Sequence, residues 1–260
     1  MTQQAQPMGD ARLRVRGLTR RFGGLIAVNN VDIDLHVGEV HAVIGTNGAG
    51  KSTLINMLSG ELPASSGSIV LDGRDVTRMP QPRRARSGIG RSYQRTTIFP
   101  EFSVFENCRL TAQAQTLPRP WHIWQSSQRC AASRERAMSA LAKAGLAHLA
   151  DEQAGSLSHG AKRQLEVAMC LATKPQVLLL DEPLAGMGAE ETERMLALLD
   201  ELKSGHAVLL VEHDMDAVFR IAERITVMVN GTVVASGAPA DIRENPVVRT
   251  AYLGEETVHA

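Results

Sequence analysis

VHAVIGTNGAGKSTLINML, residues 40–58, decides the fold. It opens with a short apolar run, VHAVIG at 40–45, that ends in glycine. A helical pattern follows at 51–60, with Leu54, Ile55 and Leu58 on one face. Between the two, Gly45-Thr46-Asn47-Gly48-Ala49-Gly50-Lys51-Ser52 fits G-x-x-x-x-G-K-[ST] in the strand-to-helix context that this pattern requires. The glycines let backbone N–H groups curl around phosphate oxygens, and the helix N-terminus adds its dipole. Lys51 is placed to reach the terminal phosphates and the Ser52 hydroxyl to ligate Mg2+.

A phosphate loop needs a carboxylate at the end of a nearby apolar strand. QVLLLDE at 176–182 supplies it. Asp181 is predicted to hold Mg2+, directly or through water, and Glu182 to act as general base on the attacking water. His213 ends the next apolar run, HAVLLVEH at 206–213, where it can touch a γ-phosphate. Gln94 ends GIGRSYQ at 88–94, read as another strand, and its amide can coordinate Mg2+ or orient water. Phe22, in RRFGG, is placed to stack on an adenine ring.

Working outward, RLRVRGL at 12–18 and VDIDLHV at 31–37 alternate as half-buried strands do. SIVLDGRDV at 68–76 reads as a hairpin about Asp72-Gly73, and 224–236 as another about Asn230-Gly231. The runs VLLL and VLLV do not alternate, as expected of parallel strands covered on both faces. Helices are expected at 127–146, 189–203 and 214–223, and SVFE at 103–106 reads as a capping box. The class is therefore α/β, with an antiparallel addition near the N-terminus and a helical insertion from about 103 to 172.

Composition narrows the function. Lys plus Arg equals Asp plus Glu, at 28 each, which argues against a dedicated nucleic-acid binder. The three cysteines, Cys108, Cys130 and Cys170, form no metal or disulfide pattern and read as reduced structural thiols. MTQQAQPMGD at the N-terminus does not read as a signal peptide, and no apolar run approaches the roughly 20 residues that cross a bilayer. Work at a membrane is thus expected to go through a partner.

LSHGAKRQL at 157–165 is an unusual helix start: small and polar residues precede the apolar positions Leu165, Ala168, Met169 and Leu171. Helix starts expose unpaired N–H groups and a partial positive charge, which suits an anion. Together, Phe22, GTNGAGKS, Gln94, LSHGA, LLLDEP at 178–183 and His213 resemble, in order and spacing, the ATP-binding subunits of ABC transporters. The resemblance runs from about 11 to 256. It implies a RecA-like P-loop NTPase with a mostly parallel sheet, an N-terminal antiparallel β subdomain and a helical insertion subdomain. One domain would span 11–256, with a core of 11–94 and 173–239, a helical subdomain at 95–172 and a tail at 240–260. It implies ATP and Mg2+, bound through Phe22, Gly45, Asn47, Gly48, Ala49, Gly50, Lys51, Ser52 and Thr53, with Ser52, Gln94 and Asp181 toward the metal. Glu182, His213 and Gln94 would serve the chemistry. In similar proteins two such subunits meet head to tail, so that Ser158 and the backbone near Gly160 would cap the γ-phosphate held by the other subunit.

FGGLIAVNNVDIDL, EPLAGMGAEE, LVEHDM and ENPVVRTAYLGEE resemble the subgroup that serves branched-chain amino acid uptake. That subgroup implies a second ATP-binding subunit, related or identical, two transmembrane permease subunits, an extracytoplasmic solute-binding protein and a place on the cytoplasmic face of the inner membrane. Urea and aromatic-acid importers share these features, and the lipopolysaccharide-export ATPase is the next rival. A soluble ABC-type ATPase acting on DNA or the ribosome is a further alternative, disfavoured by the neutral charge. Four positions depart from the family: Thr46 replaces a common Pro, His159 the first glycine of LSGGQ, Ala161 its glutamine, and Gly188 a common Asp. Phe99, Phe102 and Phe105 are dense for a chain with 3% aromatic residues. In the family this area receives a short helix of the membrane subunit, and one or two of the three rings are expected to be partly exposed. Trp121 and Trp124 are expected to pack against the insertion. Arg83, Arg84, Arg86, Arg91 and Arg95 read as a loose basic run, a solvated face ahead of one toward lipid headgroups, and 240–253 as a short helix with a tail.

Overall fold

A computed structural model describes residues 11–94, 97–116 and 127–250. In chain order the first elements are β1 (Leu13–Phe22), β2 (Leu25–Leu35), β3 (Val40–Gly45), α1 (Lys51–Ser59), β4 (Ser66–Leu71), β5 (Arg74–Asp75), α2 (Gln81–Arg86) and β6 (Ile89–Arg91). The helical insertion follows, with α3 (Val104–Thr116), α4 (Ser127–Lys143) and α5 (His159–Ala172). The chain then returns to the sheet through β7 (Val177–Asp181), α6 (Ala189–Lys203), β8 (Ala207–Val211), α7 (Met215–Ile221), β9 (Arg224–Val229), β10 (Thr232–Gly237) and α8 (Pro239–Glu244).

The two strand patterns build two sheets. The alternating segments form an antiparallel sheet in the order β2-β1-β4-β5. The continuous apolar segments form a second sheet, β10-β9-β3-β8-β7-β6, parallel from β9 to β6 with β10 antiparallel at its edge. Strand β7 shows why its sequence cannot alternate. Leu178 and Leu180 enter one core with α3, α4, α5 and α6, while Val177 and Leu179 enter another with α1 and the antiparallel sheet. Each such side chain contributes about 1.5–3 kcal/mol by leaving water. Both hairpins turn where expected, with Asp72 and Gly73, and Asn230 and Gly231, in left-handed backbone.

Several expectations need correction. β6 stops at Arg91, short of the predicted 88–94, so Gln94 lies beyond the strand. Tertiary contacts explain the early end: Arg163 of α5 draws the carbonyls of Tyr93 and Gln94 toward itself, at 3.0 and 2.7 Å. The capping box at 103–106 is half made. The Ser103 hydroxyl accepts from the Glu106 N–H at 3.1 Å, but the Glu106 carboxylate pairs with Arg109 instead of reaching back. The basic run is not one solvated face. Arg83 and Arg86 are exposed, whereas Arg84 is buried and donates to the carbonyls of Met57, Leu58, Thr77 and Met79. It thereby satisfies carbonyls at the C-terminal end of α1, and burial pushes its guanidinium pKa down to about 10. Arg95, Trp121, Trp124 and the side chain of Cys130 lie outside the described residues. Cys108 and Cys170 are buried free thiols, and burial pushes both thiol pKa values up. Among the described residues, no helix is long and apolar enough to cross a membrane.

Candidate nucleotide site

Strand β3 delivers Gly45 to the carboxyl edge of the parallel sheet, and the loop 46–50 turns there into α1. Gly48 and Gly50 sit at φ 79 and 99, in backbone that favours glycine. A Cβ on Gly50 would lie 2.4 Å from the Ala27 carbonyl, so no side chain fits where β2 braces the loop. The far hairpin also braces it: the Gly231 N–H donates to Ala49 O at 3.0 Å, and Asn29 N–H to Gly231 O at 2.8 Å. The ammonium of Lys51 folds over the loop, donating to the carbonyls of Gly45 at 2.5 Å and Thr46 at 3.0 Å. Burial draws its pKa down, while Glu182 and Asp181 oppose the shift.

A cavity of about 550 Å³ opens above this loop. Asn47, Gly48, Ala49, Gly50, Lys51, Ser52 and Thr53 line it, together with Gln94 and Glu182. The structure thus brings three separate predictions to one surface. The Gln94 amide donates to Glu182 at 2.9 Å, across 88 positions of sequence. Glu182 follows β7 in left-handed backbone, φ 50, and its N–H is held by Val211 O at 2.8 Å. That conformation is uncommon for a residue with a Cβ and turns the carboxylate out of the strand direction. The His213 imidazole lies 3.9 Å from Glu182 and is mostly exposed.

Other predicted residues stand outside the cavity. Asp181 is only 5% exposed and does not line it; its carboxylate faces Arg91 at 3.6 Å. Burial raises its pKa, against the pull of the Arg91 guanidinium. Phe22 ends β1 with its ring 45% exposed and the Arg20 guanidinium 4.6 Å from its centre. It pairs in register with Leu25, which does line the cavity. Ser158 and Gly160 belong to a separate place, the start of α5. There the Ser158 hydroxyl caps the helix, accepting from Ala161 N–H at 3.2 Å.

α5 connects the two places. Arg163 and Glu166 form a buried ion pair at 2.9 Å. Arg163 holds the carbonyls of Tyr93 and Gln94, and Glu166 accepts from Thr97 N–H at 2.8 Å. The backbone on both sides of Gln94 is therefore tied to the helix that begins at Ser158.

Sequence reasoning missed four contributors. Leu25, Ile26 and Ala27 line the cavity from the β1–β2 hairpin, and Asn230-Gly231 was read as a turn without its role beneath the phosphate loop. The buried Glu212 accepts from Leu184 N–H at 2.8 Å and His213 N–H at 3.2 Å, joining the segment after Glu182 to the histidine. Glu191 donates nothing and accepts from the Ser158 hydroxyl at 2.9 Å. An acidic residue in the first turn of a predicted helix was the available signal for Glu191, but it did not name the partner.

The family model described as ABC transporter matches residues 28–185. The chain belongs to the ABC transporter family. A second model, described as a branched-chain amino acid ATP-binding cassette transporter, matches residues 232–258 of this ABC cassette. The high-affinity branched-chain amino acid transport ATP-binding protein LivG of Escherichia coli K12 is 42% identical over 255 residues, 95% of this chain and 100% of LivG. BraF of Pseudomonas aeruginosa, with the same description, is 41% identical over 94% of this chain and 98% of its own. The lipopolysaccharide export system ATP-binding protein LptB of Escherichia coli is 32% identical over 95% and 98%. Among solved structures, the ADP conformation of the ATP-binding cassette MJ1267 superposes with a TM-score of 0.82 at 29% identity, covering 94% of this cassette and 99% of MJ1267.

Proposed function

We propose that this cassette is the ATP-hydrolysing subunit of an importer for branched-chain amino acids. What carries the reading is the meeting of Lys51, Ser52, Gln94 and Glu182 on one cavity, in a chain similar to LivG over 95% of its length.

ATP enters with its phosphates over the N–H groups of 46–52. Lys51 exchanges its contacts with Gly45 O and Thr46 O for phosphate oxygens, and Phe22 stacks on the adenine. The donors Ser52, Asp181 and Gln94 are hard oxygen groups, a set that suits Mg2+. Held there by Ser52, Gln94 and, directly or through water, Asp181, Mg2+ would supply charge neutralisation to the phosphates. Glu182 takes a proton from water as the water oxygen bonds to the γ-phosphorus. The bond to the bridging oxygen breaks, and ADP leaves with its electron pair. Gln94 orients the Glu182 carboxylate before that step, and His213 approaches the γ-phosphate from beside it.

A second ATP-binding subunit, identical or related, supplies Ser158 and the backbone near Gly160 to this phosphate, and receives the same from this chain. Closure excludes water, so each contact gains strength. Two permease subunits seat this cassette on the cytoplasmic face of the inner membrane, and an extracytoplasmic binding protein presents the solute. Phe99 and Phe102 support the permease contact. They stack at 5.5 Å, 50% and 44% exposed, while Phe105 packs inward. The buried Asn107 fixes their loop by bonds to Phe99 N–H and O and to Ser103 O.

The test is leucine, isoleucine and valine uptake by cells or vesicles that contain the permeases encoded beside this chain. Uptake is expected to vanish with Glu182→Gln. Transport of urea or an aromatic acid in place of these three would overturn the solute assignment, and no phosphate release from ATP would overturn the enzyme.

A further inference from the structure

We propose that the Glu191 carboxylate is a built-in competitor for the γ-phosphate seat at the start of α5, and so sets the ATP concentration at which two cassettes close. The inference rests on the head-to-tail reading above. It comes from the contacts of one side chain. The Ser158 hydroxyl donates to Glu191 at 2.9 Å. The carboxylate lies so close over Gly160 that a Cβ there would be 2.3 Å from its carbon and 2.5 and 2.6 Å from its oxygens. Thus the hydroxyl and the glycine that would cap a partner's phosphate already hold an anion of this same chain. Ser158 and the N–H groups of Gly188 and Gly160 keep the Glu191 carboxyl below the usual carboxylate range. An anion at a helix N-terminus is stabilised by the unpaired N–H groups and by the dipole.

The same chain explains how the carboxylate gets there. Glu191 lies in the first turn of α6, whose N-terminal flank is Gly188, a residue with no side chain to cap the helix. Glu191 also accepts from Gly188 N–H, at 3.4 Å, so one carboxylate serves two helix starts. A γ-phosphate arriving from a partner carries more charge and more acceptor oxygens than a carboxylate. It displaces Glu191, whereas ADP brings nothing that reaches this seat and leaves Glu191 in place. After hydrolysis and loss of phosphate, Glu191 returns, which favours reopening.

The experiment titrates ATP and ADP against Glu182→Gln protein, with its paired ATP-binding subunit present, and reads association by analytical ultracentrifugation. Glu191→Gln and Glu191→Ala are compared in that background. Both are expected to lower the ATP midpoint of closure by about two- to fivefold. ATP affinity of the separated subunit and the response to ADP are expected to stay unchanged. Glu191→Gln keeps the length of the side chain and covers the case in which Glu191→Ala fails to fold. If Glu191 only stabilised α6, its loss would raise the midpoint or lower the melting temperature, and either an unchanged or a raised midpoint overturns the proposal. If Glu182→Gln protein with Glu191 intact does not associate at saturating ATP, the head-to-tail reading fails, and this inference falls with it.

Discussion

Helices α1 and α5 both begin in short loops rich in small residues, and both are read as phosphate seats, but the side chains resting on their starts carry opposite charges. At α1 the flanking Gly50 offers no side-chain cap, and the near charge is the ammonium of Lys51, resting on two carbonyls of its own loop. At α5 the flanking Ser158 caps the helix, and the near charge is the carboxylate of Glu191. The first seat opens on the cavity, as the proposed binding of an anion from solution requires. The second already has one, and accepts another only by exchange. Helix starts leave N–H groups that must be satisfied somehow, and at α5 the chain supplies the acceptors itself.

Four substitutions break or sharpen that contrast. The largest effect is expected from Glu182→Gln. It leaves both seats intact and removes the proton acceptor, so turnover in a phosphate-release assay should fall by about 10²–10⁴-fold with ATP binding kept. Retained turnover would mean that the base lies elsewhere. Next comes Arg163→Met, which strands Glu166 in the interior and frees the carbonyls of Tyr93 and Gln94. Urea unfolding should show a loss of about 3–5 kcal/mol; a loss below 1 kcal/mol would show that α5 does not anchor the Gln94 segment. Lys51→Ala strips the cation from the first seat alone. ATP affinity, followed by fluorescent-nucleotide displacement, should drop by roughly ten- to a hundredfold, and unchanged binding refutes the seat. The smallest effect is Ser158→Ala, which removes the helix cap and the contact to Glu191. It should cost about 1 kcal/mol of stability by thermal melting and leave the ATP affinity of the separated subunit untouched; weakened affinity there would place the two seats in one site.

The contrast also marks what a linear reading could reach. The α1 seat is local: strand, glycines, lysine and helix are contiguous, and each residue type states its use. α6 begins and ends at the residues expected, because its apolar period and its flanking loops agree. Glu191 was hidden because its partner precedes it by 33 positions, on another element. Arg84 was misread for the same kind of reason. A basic run looks solvated until four carbonyls are found to converge on one of its members. Gln94 does line the cavity but was wrongly placed in a strand, since its backbone is pulled off the sheet edge by a helix about 70 residues later. The two exposed phenylalanines fit the expectation for the insertion, and only packing decided that Phe105 turned inward.

The bond from Gly231 N–H to Ala49 O has a consequence for how the protein is made. The phosphate loop leaves the ribosome well before its floor, a turn synthesised some 180 residues afterwards. A nascent chain halted before β9 carries every phosphate-loop residue and the β2 brace, and still lacks the Gly231 bond beneath the loop. Nucleotide capture should therefore be a late event in biogenesis, switched on as the final sheet strands dock.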